Sequence, residues 1–151
     1  MAATSRVFPA VEALVRLSEL VEERRRQLAR EAGLGELQLR VLEGIGRSDF
    51  MPSLFARGRR TSPAAVSRAL RQLIDGGLVA ARICADDARR RAYTLTPAGR
   101  RVLARVRKRR EQALLAVWEG LPSRELDRFA HFAERLAERL EAHAREVDAR
   151  E

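Results

Sequence analysis

Residues 61–72 read Thr-Ser-Pro-Ala-Ala-Val-Ser-Arg-Ala-Leu-Arg-Gln. Ser62 is a natural helix N-cap, and Pro63 suits the first helical turn, where its missing N–H is not needed. Val66, Leu70, Leu73 and Ile74 recur at i, i+4, i+7 and i+8 and predict an inward helical face. The opposite face carries Ala64, Ala65, Ser67, Arg68, Arg71 and Gln72. Those residue types suit a helix entering the major groove of DNA. Ala and Ser permit close approach, Ala can meet a thymine methyl, and Arg can make two parallel hydrogen bonds to guanine. The free N–H groups of the first turn offer a further seat for phosphate. An ordinary surface helix can carry the same residues by chance, so this helix alone leaves the two readings level.

The next segment separates them. Val79, Ile83, Tyr93, Thr94 and Leu95 flank a polar tip, Asp86-Asp87-Ala88-Arg89-Arg90, a pattern that predicts a β-hairpin. A hairpin placed directly after a helix-turn-helix is a wing reaching beyond the major groove. Arg89, Arg90 and Arg91 lie at or beside its tip, and a narrow minor groove attracts arginine. Asp87 can pair with an arginine and fix its direction. Asp86 and Asp87 also suit a turn-forming pair, and the two roles are compatible.

Charge placement points the same way. The net charge is +9. Residues 1–51 balance 8 arginines with 8 acids, and residues 102–151 hold 11 basic against 10 acidic residues. Residues 52–101 hold 11 arginines against only Asp75, Asp86 and Asp87. A solvated surface of a high-pI protein would spread its excess, whereas a segregated basic block is the footprint of a polyanion-binding face.

The elements that must position these residues are mostly helical. Hydrophobic residues make up 46% of the chain and aromatics only 5%, enough for a core rich in Ala and Leu. Pro9 is predicted to open a first helix ending near Ala32, with Val11, Leu14, Val15, Leu17 and Val21 at helical spacing. Leu34, Leu37, Val41, Leu42 and Ile45 mark a second, stopped by Gly46, and Pro52 opens a short third. Ser62 and Pro63 start the fourth, which ends at Gly76-Gly77. After the hairpin, Thr96 caps and Pro97 opens a long helix to about Gly120, and Ser123 caps a last one to about Val147. In that last helix Leu126, Phe129, Ala133, Leu136, Leu140, His143 and Val147 alternate by three and four, a heptad seam longer than one copy needs for its own core.

Other chemistry is missing or weak. The sequence has no phosphate-binding glycine loop, Ser/His/Asp set or His-Glu-x-x-His motif, which argues against an enzyme. His131 with Glu134 and Glu138 makes a poor metal face, because structural zinc wants closely grouped Cys and His, so neither metal nor cofactor is expected. Cys84 is the lone cysteine and suits inert packing better than a thiol sensor; it excludes an internal disulfide and fits a reducing cytosol. The basic run at 105–110 suits a solvated helix face. No stretch approaches the ~18 apolar residues of a membrane span, and no signal-peptide core opens the chain, so a cytoplasmic protein is expected.

The order of helices, helix-turn-helix, wing and two long helices resembles the multiple-antibiotic-resistance-regulator (MarR) family of winged-helix transcription factors. Three motifs within residues 34–100 carry the likeness. Residues 34–45 look like the family's second helix, and 64–79, with Ser67-Arg68, like its recognition helix. Residues 86–100 look like its wing, with Asp87 and Arg89 as the Asp-x-Arg pair. One departure stands out: where the family usually places an apolar residue, a glycine and another apolar residue, this chain has Arg59, Arg60 and Thr61. Either the two arginines add phosphate contacts or the preceding helix packs differently.

The resemblance implies a mainly α fold with a small β-wing. Residues 1–33 and 97–151 would dimerise, and 34–100 would form the winged helix-turn-helix DNA-binding lobe. It further implies a homodimeric, sequence-specific regulator, a repressor on a palindromic double-stranded operator, released by a small aromatic or phenolic effector. Arg59, Arg60, Ser62, Ala64, Ala65, Ser67, Arg68 and Arg71 would meet the major groove and its phosphates, and Arg89 and Arg90 the minor groove, oriented by Asp87. No effector-binding residue follows from the sequence. The alternative is a winged-helix module that binds an acidic protein without reading DNA sequence.

Overall fold

The computed structural model describes residues 2–47, 50–84 and 87–149, with side chains over 7–47, 50–83 and 91–149. The elements are α1 (Ala2–Glu31), α2 (Glu36–Ile45), α3 (Pro52–Gly58), α4 (Pro63–Asp75), β1 (Val79–Cys84), β2 (Asp87–Leu95), α5 (Pro97–Trp118) and α6 (Ser123–Asp148). They form two compact units, residues 1–111 and 112–151, with α5 running through the boundary.

The first unit is built on α4. Its Val66, Ala69, Leu70 and Leu73 are buried against Val41, Leu42 and Ile45 of α2, Phe50, Ala56 of α3 and Val79 of β1. Phe50 is the hub of the aromatic contacts, 5.1 Å from Phe55 and edge-on to Tyr93 at 6.1 Å between ring centroids. Burying each of these leucines contributes roughly 1.5–3 kcal/mol. A second cluster joins Ala29 of α1, Leu39 of α2 and Val106 of α5. Leu39 lies off the stripe read from the sequence because α2 is covered on two sides, by α4 and by α1.

β1 and β2 pair antiparallel from Val79↔Leu95 to Ile83↔Arg91, and the register then shifts so that Cys84 faces Asp87. The hairpin is anchored at its base. Thr96 Oγ1 donates to the Gly77 carbonyl at 2.7 Å and accepts from the Gly99 N–H at 3.1 Å, capping α5 as predicted. A Cβ at Gly99 would lie 2.1 Å from the Leu78 carbonyl oxygen, so only glycine allows α5 to start this close to the strand. Gly77, at φ +68, makes the left-handed turn out of α4.

Two predicted helix starts are corrected. α1 begins at Ala2 with Pro9 inside it, so this proline forfeits one backbone bond within the helix instead of opening it. α6 is capped by the backbone of Pro122 with no side-chain bond, and Ser123 is its first residue. In the second unit α6 has no buried residue, and Phe129, Leu140 and Val147 of the heptad seam are exposed. Trp118, at the end of α5, lies 6.1 Å from Phe129 between ring centroids. In the first unit, Val7, Phe8, Val11, Leu14, Val15, Leu17, Leu20 and Val21 leave an apolar face of α1 equally open.

Candidate nucleic-acid interface

The α3–α4 turn and the outer face of α4 assemble the predicted major-groove residues. Ser62 is the N-cap, and its Oγ accepts from the Ala65 N–H at 3.1 Å. With Val66, Ala69, Leu70 and Leu73 facing the core, helical geometry turns Ala64, Ser67, Arg68, Arg71 and Gln72 outward, and all five are exposed. Ala65 is half-buried, since it lies at the edge of the packed face.

The turn before α4 accounts for its unusual composition. Arg59 is the C-cap of α3, and its guanidinium carbon lies 5.9 Å from the centroid of the Phe55 ring. Arg60 adopts φ 50, the left-handed region that favours glycine. Thr61 then turns inward, half-buried, with its N–H donating to the Ala56 carbonyl at 3.1 Å. α3 still packs through Phe55 and Ala56, while both arginines are exposed. The turn therefore keeps a backbone suited to glycine and places two cations on its outside.

The backbones of Asp87, Arg89 and Arg90 belong to the first part of β2, beside the irregular end of the ladder. Their side chains, and Asp86 altogether, lie outside the described residues. Arg91, opposite Ile83, is exposed.

One feature of this face escapes the sequence. The Gly35 N–H donates to Gln38 Oε1 at 2.6 Å, and Gln38 Nε2 donates to Gln72 Oε1 at 2.9 Å. The glutamine at the third position of α2 signals the capping half of this chain. Nothing local signals its continuation to Gln72, 34 residues away.

The ion pairs among the described residues lie elsewhere. Arg40 joins Glu22 at 3.0 Å and also pairs with Glu36; Arg109 pairs with Glu31 and Arg110 with Glu43. These tie α1, α2 and α5 together and do not involve the α4 arginines. His131 Nδ1 lies 3.2 Å from the Asp127 carbonyl on exposed α6. Among the described residues, no three His, Cys, Asp or Glu side chains gather as a metal site. Among them too, no helix is long and apolar enough to cross a membrane.

Comparison with known proteins is consistent with this geometry. The model of a helix-turn-helix family matches residues 27–146. The fold is similar to that of a MarR family transcription regulator, with a TM-score of 0.84 and 22% identity over 94% of this chain and 95% of that one. It is similar to CouR from Rhodococcus jostii RHA1, solved bound to p-coumaroyl-CoA, with a TM-score of 0.67 and 20% identity over 83% and 89% of the two chains. A mutant MepR from S. aureus, solved bound to an oligodeoxyribonucleotide, gives a TM-score of 0.61 and 16% identity over 87% and 97%. No curated protein matches the chain in sequence.

Proposed function

The chain belongs to a helix-turn-helix family and has the winged-helix fold of MarR family transcription regulators, and from that premise we propose that it is a homodimeric, sequence-specific repressor released by a small aromatic or phenolic ligand. The observation that carries the DNA reading is the outer face of α4. Small residues and two exposed arginines stand on a helix whose other face is fully committed to the core. In this reading Arg68 pairs with a guanine edge, with Ser62, Ala64, Ala65, Ser67 and Arg71 beside it in the major groove. Arg59 and Arg60 meet phosphate from the preceding turn. Arg89 and Arg90 take the minor groove, with Asp87 orienting them.

Dimerisation is supported by apolar faces that one copy leaves open. α6 buries none of its residues although Phe129, Leu140 and Val147 follow the heptad seam, and α1 exposes a comparable stripe. Contiguous apolar surface of this kind marks an interaction site. We assign residues 1–33 and 97–151 to the dimer and 34–100 to the DNA-binding lobe. Two lobes would meet half-sites about one helical turn, ~34 Å, apart on a palindromic operator in the cytoplasm. The p-coumaroyl-CoA bound to CouR supports an aromatic effector class.

Selection of duplexes from a random pool by the full chain tests the reading. A palindrome should be enriched, bound by two copies in sedimentation and released by aromatic acids. Enrichment of no sequence, or a single subunit at working concentration, would overturn it.

A further inference from the structure

The chain of amide hydrogen bonds that runs from α2 to α4 defines which end of Gln72 faces outward. The backbone N–H of Gly35 can only donate, so Gln38 must turn its Oε1 toward it, at 2.6 Å. Gln38 then has only its amino group left for Gln72, and it donates to Gln72 Oε1 at 2.9 Å. One carboxamide thereby dictates the orientation of the next. Gln72 is left with its Nε2 amino group directed away from Gln38, two N–H donors on an exposed side chain.

Gln72 stands one helical turn beyond Arg68, on the same stripe of α4 as Ala65 and Arg68. An unconstrained glutamine recognises adenine by donating and accepting together. This one has its oxygen turned toward Gln38, and the end it presents outward is a pair of N–H donors, which suits an acceptor such as a phosphate oxygen. It also lies about 6 Å further along the helix than Arg68, away from the N-terminal turns that enter a groove most deeply. Building on the DNA-binding reading, we propose that Gln72 is a phosphate-binding residue of the α4 face and that Gln38 is the positioning residue that aims its amide. The contact is neutral: it would fix how α4 sits along the DNA backbone without reading a base.

Anisotropy titrations of the full-length protein test this, on a selected operator and on unrelated duplexes over a salt series. Gln72→Ala should weaken binding about 10- to 150-fold per half-site, the worth of a hydrogen bond between neutral and charged groups. The loss should be equal on every duplex, with an unchanged salt slope because no cation has been removed. Gln38→Met removes the aiming bond and should weaken binding in the wild-type background. In the Gln72→Ala background it should add nothing, whereas a residue that only capped α2 would cost the same in both. Helix content and Tm, measured alongside, distinguish a damaged α2 cap from a missing phosphate bond. The inference is overturned if Gln72→Ala binds like the wild type, if its loss is confined to one base pair, or if Gln38→Met acts equally in the two backgrounds. Failure of the wild type to bind any duplex would overturn the DNA reading itself and this inference with it.

Discussion

If Arg60 meets phosphate as proposed, it sets the stability of the lobe against its affinity for DNA, and Arg60→Gly should move the two in opposite directions. Its φ of 50 puts a side chain with a Cβ in the left-handed region, at a cost of about 1–2 kcal/mol. Glycine removes that cost but frees the unfolded chain, which returns about 0.4–1 kcal/mol. The balance is a stabilisation of roughly 0.5–1 kcal/mol. For a chain of 151 residues that corresponds to a Tm about 1–4 °C higher. DNA binding should fall. Removing one phosphate-bound cation from each of two lobes lowers the slope of log affinity against log salt by about 1.8, equivalent to about 30-fold weaker binding near 0.15 M salt. Arg60→Ala separates the causes, since it removes the cation and keeps the strained backbone: the slope should drop equally while Tm does not rise. Scanning calorimetry and anisotropy titrations at four salt concentrations supply both readouts. A Tm that falls in the glycine variant would refute the strain argument, and an unchanged slope in both variants would refute the pairing of Arg60 with phosphate.

Three further substitutions probe other parts of the reading. Arg68→Ala should cost ~1–3 kcal/mol of operator binding and relax preference at one base pair, read by repeating the duplex selection; an unaltered preference would remove Arg68 from the reading helix. Gly99→Ala forces a methyl to within 2.1 Å of the Leu78 carbonyl oxygen, so α5 must shift, and urea unfolding should show a loss of about 1–3 kcal/mol. Stability equal to wild type would mean that the wing base is not held as tightly as the geometry requires. Leu140→Glu lies on exposed α6 and should alter the helix content of a single copy little, yet dissociate the dimer in sedimentation and abolish tight operator binding. A dimer that persists would place the interface elsewhere.

What could be read from the sequence, and what could not, divides along a physical line. Elements fixed by their own residues were legible. Ser62 and Thr96 cap α4 and α5 with their side chains, and Val66, Leu70 and Leu73 are buried at the spacing that predicted it. Local periodicity and capping chemistry act within one or two turns, where sequence order and spatial order coincide. Pro9 misled for the converse reason. A proline permits a helix to begin but does not compel it, and α1 extends a further two turns toward the N-terminus despite the missing bond.

Contacts made across the fold were not legible, and they decide how the site is built. Leu39 is buried because α1 and α4 cover two sides of α2, which no single-helix stripe reveals. At the departure Arg59-Arg60-Thr61, the packing of Phe55 and Ala56 keeps α3 on the core and leaves both arginines exposed. α3 stays on the core because the turn is set by backbone geometry, with Thr61 facing inward and Arg60 bearing the left-handed φ. Gln72 shows the same logic at the level of one hydrogen bond. Its residue type marked it as a donor or an acceptor on the outer face of α4, and only a partner 34 residues away settles which end is presented. Composition and spacing thus determine which side chains reach the surface of this lobe, while the orientation of their polar atoms is imposed from neighbouring helices. For that reason a substitution at Gln38, remote in sequence from the reading helix, should be felt at the DNA.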